Sequence, residues 1–222
     1  MGNFTIAIDG PAGAGKSSVA KAVARELGGN YLDTGAMYRA VGLYMLRAAV
    51  DINDMEMVAA RCGEPEVNVR YADGRQITCL GDEDVSREIR EDQCSKASSA
   101  VSRVAAVRER MVALQREIAR DVNLVMDGRD IGTKVLPDAT VKIFLTASPE
   151  VRARRRYEEN LERGLEADYQ QVLSDIIARD YQDTHRAASP LVRAEDAEEV
   201  DSSCLTLEQV IARIISIARA KI

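Results

Sequence analysis

Histidine and cysteine are scarce in this sequence. His185 is the only histidine, and Cys62, Cys79, Cys94 and Cys204 are scattered with no CxxC pair. Zinc-site spacing is therefore missing, and the single histidine lies outside any nucleophile–base triad pattern. Isolated cysteines fit a reducing compartment, which sets the expectation of a cytoplasmic protein. No apolar run is long enough to span a bilayer, and residues 4–8 are too few for a secretory leader. Internal repeats, low-complexity tracts and long linkers are absent. Positive charge is not in excess either. The formal net charge is −6, which argues against a broad nucleic-acid or anionic-membrane surface, although local arginines can override the sum.

What is present is a chain of 222 residues, 46% hydrophobic and 30% charged, enough for one α/β domain with insertions and a buried core. Its organising stretch is residues 6–18, IAIDGPAGAGKSS. Gly10, then Pro11, Ala12, Gly13 and Ala14, then Gly15, Lys16 and Ser17 complete a G-x-x-x-x-G-K-[ST] loop, followed by Ser18. Residues 4–9 form an apolar, β-rich run and residues 18–27 have helical periodicity, so a strand enters the loop and a helix leaves it. The glycines let backbone N–H groups turn toward phosphate oxygens, and the positive end of the helix adds to that field. Lys16 would meet the β/γ phosphates and Ser17 would offer its hydroxyl to Mg²⁺. The motif names a nucleoside triphosphate and leaves the reaction open.

Gly28-Gly29 stops the first helix, and residues 30–33 (NYLD) predict a second strand. A helix over 36–49 follows, capped by Thr34 or Asp33 and carrying Tyr38 and Arg39 in its first turns. The stretch DTGAMYR is a candidate acceptor site, yet an ordinary capped helix with a surface arginine reads the same. From Glu66 the period changes to two. Val67, Val69 and Tyr71 alternate with polar residues, Asp73-Gly74 supplies a type I′ turn, and Ile77 and Cys79 alternate again. Residues 83–86 could add a third strand. A small antiparallel sheet does not belong to a parallel core, so residues 36–98 are expected to be an inserted subdomain. Helices over 88–100 and 104–120 come next. Residues 124–126 are a buried-type strand ending in Asp127-Gly128-Arg129-Asp130, a ligand-facing position in open α/β sheets. Residues 140–145 form the next strand. Ser148-Pro149-Glu150 starts a helix, residues 169–181 form another, Val200 lies in a short final strand, and Thr206-x-x-Gln209 is a capping box for the last helix.

The helix after Pro149 is rich in arginine: Arg152, Arg154, Arg155, Arg156, then Arg163. Arg154–Glu158 and Arg155–Glu159 could be i,i+4 pairs on a solvated face. Alternatively, Arg152 and Arg155 or Arg156 share one helix face, where their charged forks suit the equatorial oxygens of a phosphoryl group in flight. Such a helix closing over the site would exclude water. Arg129, Arg179 and Arg186, with Asp130 and Asp183 nearby in sequence, form a second set.

Taken in order, IAIDGPAGAGKSS, YLDTGAMYR, GDEDVSREIR, SSAVSRVAAVRERM, MDGRDIGT, LPDATVKIFL and ARDYQDTHRAASPL resemble the bacterial cytidylate kinases, nucleoside monophosphate kinases that phosphorylate CMP and dCMP. The resemblance runs nearly end to end. It implies an α/β phosphate-loop kinase fold, with a core of 1–35, 99–147 and 169–222, an acceptor-binding insertion at 36–98 and a lid at 148–168. It implies that Ser99, Arg108 and Asp130 read the acceptor base. Cytosine presents an amino donor and two acceptors, which a carboxylate, a guanidinium and a hydroxyl complement. It implies that Thr34, Tyr38, Arg39, Gly128, Arg129, Arg179, Asp183 and Arg186 line the acceptor phosphate and ribose. Arg152, Arg155 and Arg156 match the lid and, with Lys16, Arg129 and Arg179, the catalytic set. Thr34 stands where some members have serine. The expected substrates are ATP with Mg²⁺ and CMP or dCMP, and the expected state is a monomer without nucleic-acid or membrane partners. The acceptor is already an anionic oxygen, so no general base is required. Rival readings are a phosphate-loop kinase for another nucleotide or a small alcohol, and a nucleotide-dependent switch.

Overall fold

Along β1 (Thr5–Asp9), Ile6 and Ile8 turn to one face of a sheet and Ala7 to the other, the alternation of a strand covered on both sides. This computed structural model describes residues 3–222. The phosphate loop leads from β1 into α1 (Lys16–Leu27), which Gly28 ends in the left-handed conformation. After β2 (Asn30–Asp33), α2 (Thr34–Arg47) begins two residues earlier than the sequence suggests, because Asp33 rather than Thr34 caps it by accepting from Ala36 N.

The next segment builds the smaller sheet. A short α3 (Met55–Arg61) precedes the antiparallel hairpin of β3 (Val67–Ala72) and β4 (Arg75–Leu80). Asp73 and Gly74 both take positive φ (51° and 70°), as the type I′ turn demands. The third strand, β5 (Glu83–Asp84), is only two residues long. The helix expected over 88–100 is broken. Glu91 is extended (ψ 152°), which separates a 3₁₀ turn, Glu88–Arg90, from α4 (Asp92–Val101). Then α5 (Ala105–Ile118) leads to β6 (Leu124–Gly128). The boundaries expected at 35/36 and 98/99 fall inside α2 and α4. Val67, Val85 and Ile89 belong to the same apolar cluster as Leu32, Leu124 and Met126 of the large sheet.

A single π-helical turn, Ile131–Val135, precedes β7 (Val141–Thr146). Then come α6 (Pro149–Glu162), α7 (Tyr169–His185), β8 (Glu198–Asp201) and α8 (Leu207–Arg219). Thr206 and Gln209 form the reciprocal capping box of α8. The large sheet is wholly parallel in the order β2-β6-β1-β7-β8. One face packs Ile6, Ile8, Val125, Ile143 and Leu145 against α1 and α8; the other packs Ala7, Leu32 and Met126 against α2 and its neighbours. The strands β6, β1 and β7 thus bring three loops to one edge, at the carboxyl ends where such sheets bind ligands.

Helices α2 and α4 approach at Gly42, where an added Cβ would stand 2.8 Å from Ala97 Cβ and 3.0 Å from Ser98 N. Overpacking of this kind costs roughly 1–3 kcal/mol. Gly42→Val should lose at least that much stability in urea denaturation. A variant as stable as the native protein would show that the two helices separate freely.

Candidate active site

Gly10 leaves β1 with φ 149°, and a Cβ there would lie 1.9 Å from Leu145 O on β7. Only glycine permits the loop to turn this close to the neighbouring strand. The loop delivers Lys16 to a buried position, where its Nζ donates to Pro11 O at 2.6 Å. Burial drives the Lys16 pKa well below its ordinary value, and Arg129 pushes the same way; Asp127, Asp183 and Asp9 oppose them. Ser17 Oγ donates to Asp127 Oδ2 (2.9 Å), and Tyr31 Oη donates to Asp127 Oδ1 (2.8 Å). Burial raises the Asp127 pKa, and Asp33 raises it further. Helix α1 begins without a side-chain cap, so its first N–H groups remain open to an anion.

Across the sheet edge, Arg108 donates to Asp130 Oδ2; both are buried. Arg186 lies on the other carboxylate oxygen, 3.9 Å from Oδ1, while its Nε donates to Ser189 O. The Arg108 guanidinium sits over the Tyr38 ring at 5.5 Å, and burial pushes the Tyr38 hydroxyl up to about 12. Arg129 Nε donates to Asp183 Oδ2 (2.8 Å). Burial alone would raise the Asp183 pKa, but Arg129 and Arg179 hold it below the usual carboxylate value. Arg179 has no ion-pair partner among the described residues; burial and then Arg129 lower it to about 10. Arg39 and Arg90 both donate to Asp33 Oδ2 at 3.0 Å. Together they outweigh the cost of burial and keep that carboxyl below its ordinary pKa.

Nine buried side-chain polar atoms among the described residues have no hydrogen-bond partner. Five belong to this one group: Tyr38 Oη, Arg39 Nε, Arg108 Nε, Arg179 Nε and Arg186 Nη2. Orphans at that density call for an occupant. Thr34 is placed differently. Its hydroxyl proton is used on Asp127 O (2.7 Å), which leaves it able only to accept from a ligand. Ser99 lies half-buried beside α7, where its carbonyl accepts from Gln182 Nε2, the residue before Asp183.

The arginines of α6 do not act as one face. Arg152 is buried; its Nε donates to Ala147 O and Nη1 to Ala12 O, and a fork of 3.0 and 2.6 Å binds Asp180. Arg155 turns to Ser202, donating to its Oγ and carbonyl. Arg156 pairs with Glu159 at i,i+3 and lies close enough to Arg179 to oppose its charge. Neither expected i,i+4 pair forms, because Arg155 is drawn to Ser202 and Arg154 points into solvent.

Four aspartates complete the picture: Asp33, expected as a possible helix cap, Asp127, expected in a ligand-facing loop, and Asp9 and Asp180, for which no role is expected. Asp33 and Asp127 each end an apolar strand beside a phosphate loop, a signal that NYLD and LVMD carry. Asp9 and Asp180 have no sequence signal, since their partners lie 122 or 123 and 28 residues away. Asp9 Oδ1 and Oδ2 accept from Ile131 N (2.8 Å) and Gly132 N (2.7 Å), and burial raises its pKa to about 6 against their pull.

A parallel sheet with this strand order, a phosphate loop on its central strand and helices on both faces defines a phosphate-loop kinase fold. A gluconokinase from Sinorhizobium meliloti 1021 shares that fold, with a TM-score of 0.51 and 15% identity over 98% of this chain and 93% of that one. Within the class, the chain belongs to the cytidylate kinase family, whose model matches residues 6–220. It is 53% identical to the cytidylate kinase of Pelotomaculum thermopropionicum over 97% of this chain and 96% of that one. It is 52% identical to that of Mycolicibacterium paratuberculosis over 99% and 96%.

The aspartates set the acid limb of stability. Asp33 and Asp183 titrate lower folded than unfolded, so their contribution is present above the ordinary value of 3.8 and is lost as pH falls through their folded values. Asp9 runs the other way: its contribution is full below 3.8 and is lost as pH rises toward about 6. Thermal melts below pH 4 should therefore fall less steeply in Asp183→Asn than in the native protein; parallel acid limbs would contradict this assignment.

Proposed function

We propose that this chain transfers the γ-phosphoryl group of ATP to the phosphate of CMP or dCMP, giving ADP and CDP or dCDP. The observation that carries this reading is the set of unpartnered buried donors on Tyr38, Arg39, Arg108, Arg179 and Arg186, next to a complete phosphate loop in a member of this family. Arginines placed between two nucleotide sites hold an acceptor phosphate and spread the charge of the transferred group. Lys16, Arg129 and Arg179 are the groups we assign to that role, with Arg156 above them. Asp183 would accept from ribose hydroxyls with the oxygen that Arg129 leaves free.

Base selection falls to Asp130, Arg108 and Ser99. Arg108 occupies Asp130 Oδ2, while Oδ1 has Arg186 only at 3.9 Å. A carboxylate oxygen in that state can accept from the 4-amino group of cytosine. Uracil would present a carbonyl oxygen there, and two acceptors would face each other without a proton.

Mg²⁺ fits the donor side. Ser17 Oγ and the Asp127 carboxylate are hard oxygen ligands, and a carboxylate whose pKa is raised by burial and by Asp33 is relieved by a nearby cation. When bound, the ion would neutralise charge on the donor phosphates; Ser17 and Asp127 would hold it. We assign the three-stranded sheet with its flanking helices to acceptor binding and residues 148–168 to the lid. Two nucleotide sites built from a single chain support a monomer. Four unpaired thiols support the cytoplasm. No helix among the described residues is long and apolar enough to cross a membrane.

ADP release should be measured across CMP, dCMP, UMP, AMP and GMP. CMP and dCMP should lead the panel, and equal rates for UMP would refute the base assignment. Lys16→Ala should lose kcat by at least ~10²-fold with unchanged circular dichroism, given how much catalysis here rests on charge stabilisation. Retention of native kcat would move the donor site elsewhere.

A further inference from the structure

Asp9 stands outside every role assigned so far. It ends β1 and directly precedes Gly10 of the phosphate loop. Its two carboxylate oxygens take the N–H groups of Ile131 and Gly132, the two residues that follow Asp130. All three side chains or backbones are buried, and Asp9 itself is 5% exposed. Those N–H groups open the π-helical turn, whose own bonds run from Lys134 N and Val135 N back to Asp130 O and from Leu136 N to Ile131 O. The first donors of any helical turn need partners from outside it, and here one carboxylate on another strand supplies both. Isolated π turns are uncommon and tend to occur at functional sites.

We infer that Asp9 is a positioning residue for base selection: by holding the turn 131–135 it fixes the backbone of Asp130 and thereby the direction of the Asp130 carboxylate. The inference rests on the reading of Asp130 as the group that faces the cytosine amino position. The alternatives for Asp130 are few. Its backbone is at φ −148°, ψ 26°, outside the regular helical and strand regions, so neither element holds it there. Arg108 and Arg186 grip only its side chain. The backbone restraint comes from the turn, and the turn is fastened by Asp9. Other charged groups near Asp9 are Lys16, Asp130 and Lys142, whose stem lies beside Gly132 and whose ammonium pairs with Asp196; none of them hydrogen-bonds to Asp9. Because Asp9 is contiguous with Gly10, the same residue also sets the spacing between the donor loop and the acceptor base.

The test is the ratio of kcat/KM for CMP to that for UMP in Asp9→Asn, Asp9→Glu and Asp130→Asn. Asparagine keeps the shape of Asp9 but has one acceptor oxygen, and its NH₂ faces an N–H. One backbone donor is then unpaired in a dry interior, a defect large enough to displace the turn. Asp9→Glu retains the charge and moves the oxygens; it carries the test if the asparagine variant does not fold. Either Asp9 variant should narrow the CMP/UMP ratio by roughly tenfold or more, with kcat for CMP reduced and KM for ATP nearly native. A native ratio in the folded Asp9 variants, with Asp130→Asn narrowing it, would overturn the role of Asp9 and leave the base reading standing. A native ratio in Asp130→Asn would overturn the base reading and this inference with it. A purely structural Asp9 would lower Tm and leave the ratio unchanged, which also refutes the proposal.

Discussion

Asp33 and Asp127 stand directly opposite each other in the β2–β6 register, both buried. Like charges in that position repel across a sheet, and burial removes the water that would screen them. Much of the site is arranged to satisfy this pair. Asp33 is met by Arg39 from α2, by Arg90 from the 3₁₀ turn and by the amide of Ala36. Asp127 is met by Ser17 from the phosphate loop and by Tyr31 from its neighbour strand. The small sheet is tied to the same point. Gln76 Oε1 accepts from Asp33 N at 2.6 Å, and Gln76 Nε2 donates to Asp33 O at 3.3 Å. These two carboxylates near the ends of β2 and β6 therefore join the phosphate loop that opens α1, helix α2 and the three-stranded sheet at one point.

The opposite imbalance lies a few residues away. Arg129, Arg39 and Arg156 lie around Arg179, which gives up proton affinity to burial first and then to Arg129. The net charge of −6 conceals this, because the sum over a surface does not report a local field. Packing like charges without a counterion costs stability. On the proposed function, such a site would be held ready for phosphate oxygens and would need little reorganisation when they arrive. Asp183 supplies only partial compensation through its bond to Arg129.

How much of this could be read in the sequence depends on the range of the interaction. The phosphate loop, the Asp73-Gly74 turn and the Thr206 capping box are local: their residues dictate their own backbone, and each appears where its pattern predicts. The break at Glu91 is not legible, since EIREDQ carries no helix-breaking glycine or proline; the 3₁₀ turn is instead held by long-range contacts, Ile89 buried in the core and Arg90 paired with Asp33. Arg152 and Arg155 share a face on a helical wheel, yet their partners come from different elements. Asp180 lies one helix on, and Ser202 lies beyond the last strand. Periodicity gives direction from a helix axis. It does not say which neighbour occupies that direction.

That placement of Arg152 also limits how α6 can move. Its guanidinium joins three parts that a free lid would separate: the phosphate loop at Ala12 O, the start of α6 at Ala147 O, and α7 at Asp180. Breaking it would leave a guanidinium that is 3% exposed without its partners, at a heavy cost. One turn later, Arg155 fastens the same helix to Ser202 at the end of β8. If α6 closes as the proposed lid, its pivot therefore lies beyond Arg155. There the side chains of Arg156, Glu158 and Glu159 face solvent or one another, and Gly164 takes φ 71° where α6 gives way to the segment before α7. On the proposed lid role, the outer half of α6 would swing while its base stays seated on the loop. On the same proposal Arg152 would be the fixed post and Arg156 the mobile charge, dividing between two residues the single role that their spacing suggested.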